Sequence, residues 1–371
     1  MKKLGFGLMR LPLTVQGDQR RIDQETFNKM VDCFIEQGFT YFDTAWPYHG
    51  EASERAFKKA VADRYPRTQF IIADKMPVWI VKEEADYKKI FDEQIERCGV
   101  EYFDYYLLHN LNATSYNETV RLGGFEFVKK MKAEGKVRNI GFSFHDKADV
   151  LDKILSEQRD LDFVQLQINY LDWDDNRVQS RKCYEVALKH NMPVIAMEPV
   201  KGSCLALVPE EAEKIFKTYN SSASAASWAI RFVASLDNIF MVLSGMSTFN
   251  QMVDNTGFMQ IFKPLNNDEQ ALIKEAAKII KSKIAIPCTD CKYCIETCPQ
   301  NIPISRYFSL YNEQNQFGLL PSIIRDYGWA SAGGGKASEC IACKQCENHC
   351  PQHIAIVDNL KDFARIFEIK R

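Results

Sequence analysis

Eight of the twelve cysteines fall between Cys288 and Cys350, and their spacing constrains this chain more than any other feature. Cys288, Cys291, Cys294 and Cys298, followed by Pro299, read C-x2-C-x2-C-x3-C-P. Cys340, Cys343, Cys346 and Cys350, followed by Pro351, repeat it. The apolar stretch Leu4–Met9 is cut short by Arg10, too soon for a secretory signal. A reducing compartment then disfavours a disulfide framework, and metal ligation is the better reading of the cluster. Structural zinc is usually served by two separate C-x2-C pairs. Three cysteines at successive x2 gaps plus x3-C-P fit a [4Fe-4S] cubane, where three corners are wrapped locally. In two-cluster proteins the fourth cysteine reaches the other cubane. The motif thus implies Cys288, Cys291, Cys294 and Cys350 for one cluster, and Cys340, Cys343, Cys346 and Cys298 for the other. Cys33, Cys98, Cys183 and Cys204 are scattered and read as small buried apolar residues.

The remaining chain is too long to be an accessory. Its 371 residues suggest two or three domains, or one large barrel with an appendage. Lys and Arg number 47 against 49 Asp and Glu, which excludes a strongly basic nucleic-acid binder. The longest uncharged run, Asn238–Val253, is 16 residues and carries Asn, Ser, Thr and Gln. A spanning helix needs about 20 mostly apolar residues, so no membrane span is expected. We read the protein as soluble and cytoplasmic.

Up to residue 265, short apolar strands alternate with amphipathic helices. Eight strands are expected, at Lys3–Gly7, Thr40–Asp43, Phe70–Lys75, Asp104–His109, Arg138–Ser143, Phe163–Gln167, Pro193–Met197 and Ile239–Leu243. Helices are expected between them, for example from Phe27 to Gly38, from Ser53 toward Arg64, and over Ala148–Glu157, Ser180–His190 and Ser222–Leu236. Eight such units in about 250 residues indicate a (β/α)8 TIM barrel. The expected division is a barrel over 1–265, a linker helix over 266–285, and a small, mostly helical ferredoxin-like domain over 286–371. Arg306–Tyr311 and Ser322–Tyr327 read as helical, and Gly333-Gly334-Gly335 as a flexible link.

A TIM barrel works at the C-terminal ends of its strands. Here those ends carry Asp43, Lys75, His109, Ser143 and Gln165, and Tyr48 follows just beyond the second strand. Tyrosine has a free pKa of about 10, too high for easy proton donation at neutral pH. A neighbouring ammonium favours the phenolate. Asp43 can fix Lys75, and His109 can bond a substrate oxygen, which together make a general acid beside a carbonyl.

Several ordered motifs resemble the aldo/keto reductase superfamily. They are Phe42-Asp43-Thr44-Ala45 with Tyr48 and Glu54, Asp74-Lys75-Met76-Pro77, and Tyr105-Tyr106-Leu107-Leu108-His109. Gly141-Phe142-Ser143 and Gly245-Met246-Ser247, followed by Gln251 and Asn255, are similar to its nicotinamide-side and adenine-side motifs. With the cysteine tail, the chain resembles the subgroup that carries a C-terminal two-[4Fe-4S] ferredoxin-type domain. The resemblance implies NADH or NADPH as cofactor and Tyr48 as proton donor. It implies that Lys75, paired with Asp43, lowers the Tyr48 pKa, and that His109 orients the carbonyl. Ser143 and Gln165 would hold the nicotinamide carboxamide. Gly245, Ser247, Gln251 and Asn255 would meet the adenosine end.

Several departures from the family stand out. Met197 occupies the position of a stacking tyrosine, and neither Gly245 nor Gln251 is basic, so NADPH preference is not supported. Glu198 opposes extra negative charge near the pyrophosphate, which Lys201 would offset. Phe144 replaces the usual Asn, and His145 adds a titratable group. Trp46, Trp79, Tyr170 and Trp173 are candidate wall residues. The expected substrate is a small carbonyl compound or alcohol, with an electron-transfer protein as a possible further partner. Two other readings stay open: a ferredoxin-linked oxidoreductase whose clusters exchange electrons with the barrel, and a redox-sensing protein.

Overall fold

The structure, a computed structural model, describes residues 2–15, 18–317 and 321–368. Eight parallel strands close into a barrel in chain order: β1 (Leu4–Gly7), β2 (Tyr41–Asp43), β3 (Ile71–Met76), β4 (Phe103–Leu111), β5 (Val137–Phe144), β6 (Phe163–Gln167), β7 (Val194–Met197) and β8 (Ile239–Gly245). The ring closes where β1 pairs with β8. All eight expected strands form, within a few residues of their expected ends. Helices connect them, because parallel neighbours need a crossover.

Strand alternation places the chemistry. Tyr41, Ala73, Leu107, Phe163, Ile195 and Leu243 pack together in one core layer, all buried. Side chains two residues further on point to the same face. Those residues are Asp43, Lys75, His109, Gln165, Met197 and Gly245. The floor of the site is therefore the roof of the core layer. Opposite-parity residues such as Phe42, Asp74 and Tyr106 face the helices and are also buried.

The helices follow the apolar spacing, with exceptions. Ala148–Glu157 forms as expected. The helix expected from Ser53 toward Arg64 is α-helical only to Phe57 and widens into a π-turn over Lys58–Ala62. Ala113–Arg121 and Phe249–Gln260 are further helices, and in the second the apolar periodicity is weak. Their caps were legible: Asn112 accepts from Thr114 N and Ser115 N, and Thr248 with Gln251 forms a capping box.

The chain divides into two compact units. The first comprises Met1–Asp174, Gln179–Pro199 and Ala226–Asn266, and contains the barrel. The second comprises Asp175–Val178, Val200–Ala225 and Asn267–Arg371. The helix Asn267–Lys283, expected as a linker, packs on the helix Glu210–Tyr219 inside the second unit. Its core includes Ile302, Tyr307, Leu360 and Phe363. Tyr307 stacks on Phe363 at 4.8 Å, and Phe363 on Phe367 at 4.1 Å.

The two cysteine motifs repeat in backbone as well as in sequence. Asp290 and Ala342 have φ of 54° and 56°, and Lys292 and Lys344 have 69° and 59°. Each motif runs into a short helix, Tyr293–Glu296 or Gln345–Asn348. The triple glycine is not a loose link. A Cβ on Gly334 would stand 2.6 Å from Asn301 O, and one on Gly335 would stand 2.2 Å from Gln300 O. Tyr307 Oη also donates to Gly335 O at 2.9 Å. Glycine is needed there for close backbone approach. Among the described residues, no helix is long and apolar enough to cross a membrane.

Candidate active site and candidate metal centre

Lys75 is the centre of the barrel site and is fully buried. An ammonium has three donors. Those of Lys75 meet Asp43 Oδ1 at 2.5 Å, Thr44 O at 2.7 Å and Tyr48 Oη at 3.2 Å. Gln165 Nε2 donates to the other oxygen of Asp43 at 3.1 Å. The buried charge is thus paired and fully hydrogen-bonded, as burial demands.

Tyr48 is half-buried, on the loop after β2. Thr44 Oγ1 and Ser53 Oγ share a 2.9 Å hydrogen bond across the base of that loop. His49 latches it to the β1 side. Leu11 N donates to His49 Nε2 at 3.0 Å, and His49 Nδ1 lies 2.8 Å from Gln19 O. These partners require the proton on Nδ1. His49 was not singled out from sequence, because a loop histidine carries no spacing signal. Desolvation, then the negative charges of Asp43, Glu198 and Asp74, hold the Tyr48 phenol well above its ordinary value. The expected lowering by Lys75 is thus outweighed by burial and the surrounding carboxylates, and Tyr48 stays protonated, the form that donates.

His109 lies beside Tyr48, with ring centroids 6.1 Å apart, and Trp79 covers it at 5.2 Å. Its Nδ1 is buried and has no hydrogen-bond partner. Burial, then the charge of Lys75 and the nearby His145, push its pKa well below the usual imidazole range. His109 is therefore neutral. Of the four candidate wall residues, Trp79 packs on His109. Trp46 stacks on the Arg97 guanidinium at 3.7 Å, while Tyr170 and Trp173 pack on Phe232.

Behind Lys75 lies a second buried network. Asp74 Oδ1 accepts from Lys75 N at 2.8 Å, and Cys98 Sγ lies 3.5 Å from Asp74 Oδ2. Glu54 accepts from Gln94 Nε2 and from Arg97 Nη1, both at 3.1 Å. Gln94 also donates to Lys75 O at 3.0 Å and accepts from Tyr106 Oη at 2.6 Å. Burial, then the Glu54 charge, drive the Asp74 carboxyl well above the ordinary carboxylate range.

The expected cofactor residues divide into two groups. Ser143 and Gln165 are buried neighbours across β5 and β6. Ser143 Oγ accepts from Asn110 N at 2.8 Å, which leaves its hydroxyl proton to donate. Met197 is part-exposed beside the core layer. Asn255 Nδ2 donates to Ser244 Oγ at 2.8 Å and keeps its Oδ1. Ser247 Oγ donates to Arg10 O at 2.7 Å, and Gln251 Oε1 accepts from Ser247 N at 2.7 Å. Gln251 thus caps its own helix. Arg10, read from sequence only as an interruption, lays its side-chain stem against Gly245 and pairs with Glu198 at 3.9 Å. Lys201 belongs to the second unit, where it is buried and donates to Gln352 Oε1 at 2.8 Å.

All eight motif cysteines line one of two cavities in the second unit. Cys288, Cys291, Cys294 and Cys350 line one. Cys298, Cys340, Cys343 and Cys346 line the other. The fourth cysteine of each motif thus stands with the first three of the other. Among the described residues, no group of three His, Cys, Asp or Glu side chains is arranged to hold a single ion. The donor set fits a cubane, whose soft iron corners take thiolates. Burial pushes the Cys288 thiol up to about 12 and that of Cys346 to about 11. Ligation displaces those protons, so cluster assembly is coupled to pH.

Comparison with known proteins agrees with both halves. The model of the aldo/keto reductase family matches residues 3–278. A 4Fe-4S dicluster domain matches residues 287–355. A search of curated proteins finds no match. Among solved structures, aldo-keto reductase AKR11C1 from Bacillus halodurans in its holo form is similar at TM-score 0.60 and 21% identity. That alignment covers 75% of this chain and 92% of that one. An aldo-keto reductase from Klebsiella pneumoniae in complex with NADPH is similar at TM-score 0.58 and 18% identity, over 74% and 90% of the two chains. One from Brucella melitensis gives TM-score 0.55 and 20% identity, over 74% and 92%.

Proposed function

The chain belongs to the aldo/keto reductase family, and from that premise we propose that its barrel interconverts an aldehyde or ketone and the corresponding alcohol, with Tyr48 as the general acid. One observation carries this reading: the buried Lys75 ammonium, held by Asp43, lies 3.2 Å from Tyr48 Oη. The reactions of this family need a hydride, which NADH or NADPH supplies when bound. The similar Klebsiella pneumoniae protein was solved with NADPH. Ser143 and Gln165 retain hydrogen-bonding capacity for a carboxamide, and Met197 offers a soft surface to a ring.

The protein's own part is acid catalysis and orientation. Tyr48, kept protonated by burial, gives its proton to the substrate oxygen. The phenolate so formed is stabilised by the Lys75 ammonium already beside it, with no reorganisation. Asp43 and Gln165 keep that ammonium in place. His109 is neutral, so it can bond the substrate oxygen without adding charge. Its unpartnered buried Nδ1 supports a role toward a ligand. Tyr48→Phe removes only the hydroxyl. Turnover of a carbonyl panel with NADH or NADPH should fall about 10²–10⁴-fold, with nucleotide binding retained. Unchanged turnover would sink the assignment.

In the second unit, we assign Cys288, Cys291, Cys294 and Cys350 to one [4Fe-4S] cluster. Cys298, Cys340, Cys343 and Cys346 hold the other. The two cavity linings support this pairing. The dicluster match also favours a second reading, in which the clusters exchange single electrons with the barrel or with a partner protein. Nicotinamide moves two electrons as hydride and each cubane moves one, so such coupling needs both clusters or an intermediate carrier.

A further inference from the structure

Gln352 is 2% exposed, and its two amide ends have different fates. Its Oε1 accepts from Lys201 Nζ at 2.8 Å. Its Nε2 is buried and has no hydrogen-bond partner. An ammonium can only donate, so Lys201 decides which end of the amide it faces. The NH2 end is thereby turned away from Lys201. Gln352 lines the same cavity as Cys288, Cys291, Cys294 and Cys350, two residues after the last of these.

Lys201 is itself 1% exposed. Lys201 and Gly202 are consecutive left-handed residues, with φ of 45° and 71°. Lysine takes that conformation only at a cost. A Cβ on Gly202 would stand 2.6 Å from Thr289 O, so the segment presses on the loop that bears Cys288. Cys204 Sγ lies 3.9 Å from Cys288 O. The other motif offers an internal comparison. Gln300 follows Cys298-Pro299 as Gln352 follows Cys350-Pro351, and it lines the other cavity. Gln300 is only half-buried, and among the described residues its side chain has no hydrogen bond. The two repeats are alike in ligands and backbone but differ in this clamp.

We propose that Lys201 and Gln352 form a redox-tuning pair for the cluster of Cys288, Cys291, Cys294 and Cys350. This rests on the cluster assignment made above. Lys201 orients Gln352, whose Nε2–H donates to a cluster or cysteinyl sulfur. Reduction adds one electron to the cluster. A hydrogen-bond donor stabilises the reduced form, which raises the potential. The pair therefore sets this cluster above its partner. Lys201 is a positioning residue and acts through Gln352.

The test is an anaerobic redox titration of the full-length holoprotein, followed by EPR. Wild type is compared with Lys201→Met and Gln352→Leu, each at about eight irons per chain. At a fixed solution potential, each variant should lower the reduced-to-oxidised ratio of one cluster about tenfold, or 59 mV for one electron. The other cluster should not move. The double variant should move no further than the larger single change. Two unmoved couples, or two moved equally, would overturn the proposal. If a variant loses iron, hyperfine spectroscopy of the reduced wild type, with 15N in its glutamine side chains, decides. A coupled amide nitrogen that Gln352→Glu abolishes supports the pair, and no coupled amide overturns it. Wild type without two cubanes would overturn the cluster assignment instead.

Discussion

Lys75 and Asp74 are neighbours in sequence and opposites in environment. Strand alternation turns Lys75 into the barrel, where three acceptors meet its ammonium, and turns Asp74 toward the helices. There the carboxyl meets Glu54 and Cys98 rather than a cation. Both Asp74 and Glu54 have their carboxyls raised, first by burial. A carboxyl whose folded pKa is raised binds more protons in the folded state than in the unfolded one. Its contribution is fully present below the unfolded value of about 3.9 and is lost as pH rises through the folded value. Asp74→Asn keeps the acceptor for Lys75 N and removes the ionisation. Relative to wild type, this variant should gain thermal stability as pH is raised from about 4 toward 8. A stability difference that does not vary with pH would show that Asp74 ionises freely. The motif around Lys75 was legible in the sequence. The carboxyl pair behind it was not, because Glu54 and Asp74 meet only when β3 and the helix from Ser53 are packed.

At the scale of elements, periodicity found the strands because each pairs a core residue with a site residue two positions on. It failed where other forces set the shape. Residues 333–335 are the clearest case, since a run of glycines reads equally as a link or as a close contact. Gly333 has open space beside its Cα, whereas Gly335 is pressed on Gln300 O. Gly333→Ala should therefore be nearly neutral. Gly335→Ala should displace the backbone at Gln300, beside the cavity of Cys298, and cost about 1–3 kcal/mol, as overpacking does. Faster iron release to a chelator from Gly335→Ala than from Gly333→Ala would check this. Equal rates would mean that the triple glycine tolerates side chains throughout. The helix Phe249–Gln260 makes a related point. Gln251 was read as a cofactor residue, but its carbonyl also caps Ser247 N and Thr248 N.

The whole molecule joins a two-electron chemistry to a pair of one-electron centres in one chain. If the clusters serve the barrel, NADH or NADPH added to the anaerobic holoprotein should reduce at least one of them. EPR would show this directly, with dithionite as the positive control. Reduction by dithionite alone would favour a barrel that works independently of the clusters at the nucleotide's potential. The clamp of Lys201 on Gln352 bears on the outcome, since it should make the cluster of Cys288 the easier one to reduce. Loss of Lys201 should then weaken reduction of that cluster by nucleotide.

Short-range spacing is what the sequence by itself determined. Three cysteines at x2 gaps can wrap one cubane whatever the rest of the chain does. Period-two alternation puts Asp43 and Lys75 on the same face as the core residues two positions before them. These features need only local geometry, so fold class and cluster chemistry were readable. Tertiary structure alone decided the contacts between distant segments. It drew Arg10 to Gly245 and His49 to Leu11, and it set Asp74 beside Glu54. It took Lys201, expected from sequence to meet a nucleotide, to Gln352, 151 residues away. The reason is physical: a polar side chain's role depends on which partner accepts or donates to it, and folding brings that partner from elsewhere in the chain.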